Sequence, residues 1–102
     1  MYEAAFRTQG NFELFAFSLR FNVLTERAMV KEAEKAYANY EHKYYEYDNR
    51  LLDRITNAKS RLCGVESIEE MFVGLLSQEA KKALPQIWEQ AERTFEKNNI
   101  FK

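Results

Sequence analysis

Residues 12–24 read FELFAFSLRFNVL, and whether this run is strand or helix decides the fold class. From Phe15 the pattern alternates: Phe15, Phe17, Leu19, Phe21 and Val23 fall on one side, Ala16, Ser18, Arg20 and Asn22 on the other. A period of two is the signature of a half-buried strand. Upstream stand Tyr2, Ala4 and Phe6, and Gln9-Gly10-Asn11 supplies residues that tolerate a tight turn. The simplest reading is a hairpin about Gly10, with 15–23 paired to 2–8. The same run also makes a helix face of Phe12, Phe15, Ala16, Leu19 and Val23. That alternative puts Leu14, Phe17, Phe21 and Leu24 on the opposite face, so it needs a helix buried all round.

Working outward, 25–64 carries an apolar seam at Val30, Ala33, Tyr37, Tyr40, Tyr44, Tyr47, Leu51, Ile55, Ala58 and Leu62. Every step is three or four, so all lie on one helical face. Thr25 suits an N-cap, with Glu26 in the first turn. Gly64 suits the left-handed residue that ends many helices. Asp48-Asn49 is the weak point of the run, since both residues favour caps and turns, but the seam keeps its phase through them and one continuous helix is expected. Ser67 and Glu70 form a capping box for a shorter helix burying Ile68, Met71, Phe72, Leu75 and Leu76. Ser77 can cap a further turn. Pro85 suits the first position of a last helix that places Trp88, Ala91 and Phe95 inward and ends at Asn98-Asn99. The expected fold is α+β: an N-terminal β-hairpin packed on a long central helix followed by two shorter helices. The alternative is an all-α bundle.

The chain has 102 residues and a formal net charge of −1, which predicts a single domain over 1–102 with no bulk attraction to nucleic acid. Eight Phe, six Tyr and one Trp imply an aromatic core or aromatic surface left for a partner. One cysteine, Cys63, excludes an internal disulfide and suits a reducing compartment. No run approaches a membrane span and no leader pattern opens the chain. A cytoplasmic protein without membrane attachment is expected.

Signals for chemistry are sparse. The single histidine, His42, has no second His or Cys at ligand spacing, so neither metal nor cofactor is expected. Cys63 lies about 31 Å from His42 along the predicted helix, too far for a nucleophile–base pair. Glu69 and Glu70 are explained by the capping box. No glycine-rich phosphate loop exists. An enzyme is therefore not expected, unless another chain completes a site.

Two features point to binding. Arg50, Arg54 and Arg61 share a helix face with Asn57 between them and Lys59 near its edge, a stripe able to follow a phosphate backbone, although Asp53 interrupts its flank. The tyrosines form the second. A continuous helix of that reach is about 54 Å long, beyond what a chain with an expected radius of gyration of about 13 Å covers. Tyr37, Tyr40, Tyr44 and Tyr45 are accordingly the expected protein interface, closed in a homodimer. The expected function is a non-catalytic protein-interaction module, a small adaptor, regulator or inhibitor docking on a larger protein. The alternative is a nucleic-acid-binding accessory protein using the arginine stripe.

Overall fold

The computed structural model describes residues 9–40 and 45–98. They form three helices: α1 (Gln9–Asn39), α2 (Tyr45–Gly74) and α3 (Gln78–Lys97). No strand occurs among the described residues. The architecture is all-helical, and the N-terminal β-hairpin is overturned. Residues 15–23 lie within one 31-residue helix, and the expected pairing segment 2–8 lies outside the described residues.

The alternating run is helical because α1 is covered from two sides. It buries Phe12 at 7% exposure, Ala16 at 1% and Val23 at 0%, the first two in a cluster with Phe72 of α2 and Leu84 and Ile87 of α3. Toward α3 it turns Phe21, whose ring meets Phe95 edge-on with centroids 5.8 Å apart; Phe17 stacks on Phe21 at 6.1 Å. Of the alternating residues Val23 is buried and Phe17 and Phe21 form the stack that meets α3, while Phe15 is 40% exposed; a helix covered on two sides loses the single stripe that marks an amphipathic one. Thr25 is no cap here. Its hydroxyl donates to the Phe21 carbonyl at 2.9 Å, a back-bond made inside a helix.

The long helix is also corrected. The chain reverses between Asn39 and Tyr45, and α2 returns antiparallel along α1. Cross-helix contacts fix the alignment, because the partners' numbers run in opposite senses: Arg20 with Glu69, Arg27 with Glu66, Lys59 with Glu34, and Tyr40 with Tyr47 near the reversal. The seam therefore closes on itself. Val30 and Ala33 from α1, with Leu51 and Ala58 from α2, are all buried, and the two alanines let the backbones approach closely. Asp48 stands in the acidic first turn of α2, where a carboxylate suits the helix dipole. The Asp48-Asn49 pair lies inside the start of α2 and does not break it.

Further along, α2 runs straight through both features expected to punctuate it. Gly64 is not in the left-handed region, and Ser67 and Glu70 lie inside the helix. The cap at Ser77 is present: its side chain accepts a hydrogen bond from the Ala80 N–H at 3.2 Å. Asn98 closes α3, its N–H bonding the Thr94 carbonyl at 3.1 Å. Pro85 is not a first residue but lies inside α3.

α3 packs along α1 and meets only the end of α2. There Phe12, Ala16, Phe72, Leu84 and Ile87 form the core cluster, with Phe12 stacked on Phe72 at 6.1 Å. At 20 residues, α3 is about 30 Å long, against about 46 Å for α1. One side of the hairpin is therefore covered in part by α3, and no other helix of the described residues packs on the opposite side of α2.

Candidate functional site

The outward side of α2 follows directly from its inward side. Leu51, Ala58, Glu69 and Phe72 face α1 or the cluster and are buried. Residues about half a turn away must then point outward. Ile68, Met71 and Leu75 do so, at 54%, 70% and 74% exposure. Leu75 lies just past α2, but its N–H still bonds the Met71 and Phe72 carbonyls, each at 3.2 Å, so it keeps the helical direction. These three residues, expected in a core, form one exposed apolar strip. Phe72, expected beside them, is buried. A contiguous apolar strip of this kind marks an interaction surface more often than scattered apolar residues do.

Earlier in α2 the predicted arginines lie on the same flank, with Arg54 and Arg61 at its border with α1. Arg50, Arg54 and Arg61 are exposed. Arg61 Nε donates to Glu26 Oε2 at 3.3 Å, and Lys59 pairs with Glu34 at 3.6 Å. Arg50 and Arg54 form no ion pair among the described residues. Exposed pairs contribute about 0–1 kcal/mol each, so the cross-helix bridges serve alignment more than stability.

Of the predicted tyrosines, Tyr37 and Tyr40 are half-buried near the end of α1. Tyr40 meets Tyr47 edge-on, with centroids 4.6 Å apart. Tyr44, and the side chain of Tyr45 at the start of α2, lie outside the described residues, as does His42. The structure therefore uses part of the tyrosine seam inside the chain, between its two long helices. The overhang of a 54 Å helix, which motivated the homodimer, is removed by the reversal.

Between α2 and α3 lies a second polar arrangement. Arg20 Nη2 and Glu69 Oε1 are 2.8 Å apart, with side chains only 13% and 11% exposed. The Arg20 guanidinium lies 4.2 Å from the centre of the Trp88 ring, within cation–π range. Arg20 Nε and Glu69 Oε2 are covered and have no hydrogen-bond partner among the described residues. Burial pushes the Glu69 carboxyl above its ordinary range, against the pull of Arg20 and Arg27, and Glu66 adds a smaller push in the same direction. An open hollow of about 420 Å³ lies beside it, lined by Glu66, Glu69, Glu70, Val73 and Trp88. Glu66 is tied to Arg27 at 3.3 Å. The arrangement is a buried strut joining α1, α2 and α3.

Among the described residues, no group of three or more His, Cys, Asp or Glu is placed to hold a metal ion. Cys63 is exposed on α2. No helix of the described residues is long and apolar enough to cross a membrane. Sequence reasoning missed the apolar strip because it restarted the helix at Ser67. Carrying the phase of Leu51, Ile55, Ala58 and Leu62 onward reaches 65, 69, 72 and 76, which turns Ile68, Met71 and Leu75 outward. No protein-family model, curated protein or solved structure matches the chain.

Proposed function

We propose that this protein is a non-catalytic interaction module that docks on another protein through the outward side of α2. The observation that carries the reading is the strip of Ile68, Met71 and Leu75, three large apolar side chains more than half exposed on adjacent turns. Burying an apolar side chain from water is worth about 1.5–3 kcal/mol, and residues at three- and four-residue spacing on a helix are what a partner groove or helix reads. The strip contributes little to the chain's own core, which lies on the other side of the same turns.

The test is a photo-crosslinking amino acid placed at Met71, and separately at Glu89 on the exposed side of α3, in cells that express the chain. A discrete protein adduct is expected from position 71 and not from 89, and it should disappear when Ile68 and Leu75 are changed to Glu. Equal adducts at both positions, or none at 71, would refute docking through this face. An adduct of twice the chain's mass would make the partner a second copy.

A further inference from the structure

We infer that the partner docking on α2 is an amphipathic helix with two chemically distinct halves: apolar opposite Ile68, Met71 and Leu75, and acidic opposite Arg50 and Arg54. This rests on the docking reading and adds the chemistry of the partner. One flank of α2 carries a line of exposed residues, bordered by α1 at Arg54 and Arg61. From Arg50 it steps to Arg54, Asn57 and Arg61, then through Gly64 to Ile68, Met71 and Leu75. Every step is four or three in strict alternation, the spacing on which a second helix lies along a first. Every position in the line is exposed. It is about 37 Å long, room for a partner helix of about seven turns.

The line changes chemistry at Gly64. A Cβ built there meets nothing within 4 Å, so a partner backbone can come closest at the junction of the two halves. On one side are three apolar side chains. On the other, Arg61 is already paired with Glu26 of α1 and Asp53 is exposed on the flank, which leaves Arg50 and Arg54 as the two guanidiniums that form no ion pair among the described residues. Charge complementarity then selects the occupant. A second copy packed in parallel register sets arginine against arginine, which is repulsive. A second copy reversed about Met71 joins the apolar ends and leaves the arginine half uncovered. A nucleic acid satisfies the guanidiniums and leaves Ile68, Met71 and Leu75 without an apolar partner. A helix that is apolar over one half and acidic over the other matches the whole line.

The test uses the full chain and labelled helical peptides of about four heptads. Each peptide carries Leu at the contact positions of one half and Glu, Gln or Lys at those of the other, and each is made with the halves in both orders. The Glu peptide should bind about tenfold tighter than the Gln peptide, the effect of a few exposed charge pairs, and the Lys peptide should bind weakest. The advantage should shrink as salt is raised. In the chain, Arg50→Glu with Arg54→Glu should reverse the order to Lys over Glu without lowering the melting temperature, and Met71→Glu should weaken every peptide.

Equal affinity for the Glu and Gln peptides overturns the acidic half while leaving docking through the apolar strip intact. Absence of binding by any peptide overturns the inference outright. Two results would then name the actual occupant. Salt-sensitive retention of a mixed-sequence oligonucleotide, lost with the Arg50→Glu and Arg54→Glu changes, assigns the face to phosphate. A concentration-dependent dimer that Met71→Glu dissociates assigns it to a second copy.

Discussion

Replacing Gly64 by Ala should stabilise the protein. The residue lies in the interior of α2, a helix of 30 residues, and is exposed. Its backbone is not left-handed, and an added Cβ meets no atom within 4 Å. There is thus no steric cost and no packing gain, which leaves intrinsic helix propensity as the whole effect. Glycine in a helix interior is about 0.8–1.0 kcal/mol less favourable than alanine, in part because alanine has fewer unfolded conformations to lose. For a domain of this size, 1 kcal/mol corresponds to about 4–8 °C in melting temperature. Gly64→Ala should therefore raise Tm by about 3–8 °C and raise the urea midpoint with an unchanged slope. The sign is what discriminates. Were the helix to end at Gly64 in a left-handed cap, alanine there would cost stability. A lower Tm for the variant would refute the continuous α2, and with it the outward orientation of Ile68, Met71 and Leu75.

Four further outcomes follow from named contacts. Arg20→Met should cost about 3 kcal/mol, because it strands the buried Glu69 carboxylate without its partner; a joint Glu69→Leu change should recover part of that loss. Burial raises the Glu69 carboxyl above its ordinary 4.5, so the folded chain holds that proton more tightly than the unfolded one. Its contribution to stability is complete below the ordinary value and is lost as pH rises through the folded pKa, so urea unfolding across that window should fall more steeply with pH in the wild type than in Glu69→Gln. Ser77→Ala removes the acceptor of the Ala80 N–H and should cost about 1 kcal/mol by thermal melting. Pro85→Ala restores an N–H inside α3 that can reach the Lys81 carbonyl and should raise Tm, since interior proline costs about 3 kcal/mol in a helix.

Legibility followed burial geometry. Within each long helix the seam was readable, Val30 and Ala33 in α1 and Leu51 and Ala58 in α2 being buried, because spacing determines which side of a helix a residue occupies. What spacing does not determine is whether the helix carries straight on. No glycine or proline stands between Asn39 and Tyr45, and the three- and four-residue spacing of the seam continues across the reversal, so the sequence pattern conceals it. Residues 12–24 misled for a different reason. Period two and period 3.6 part company only when one side of an element is polar, and α1 has apolar neighbours on two sides. The caps at Ser77 and Asn98 were legible because a cap is a local interaction of a few residues. The apparent capping box at Ser67 failed by the same logic: the motif marks a helix start only where the preceding residues are not already helical, and here they belong to α2. The Arg20–Glu69–Trp88 strut joins three helices and leaves no trace in local sequence.

The last turns of α2 show why stability and recognition are separable here. Glu69 and Phe72 are 8% and 6% exposed and tie α2 to its neighbours, whereas Ile68 and Met71, interleaved with them, are 54% and 70% exposed. Truncating a buried Phe costs about 3–5 kcal/mol, while substitutions at exposed positions usually fall within about 0.5 kcal/mol of neutral. Selection for a stable fold therefore acts strongly on one side of these turns and weakly on the other. Exposed Ile, Met and Leu in a line gain the isolated chain little and add an aggregation hazard. A partner whose binding covers them removes that hazard and adds burial energy that the chain alone does not have. Folding thus accounts for the inward side of α2 and leaves the outward one unexplained, and it is on the outward side that the docking function is proposed.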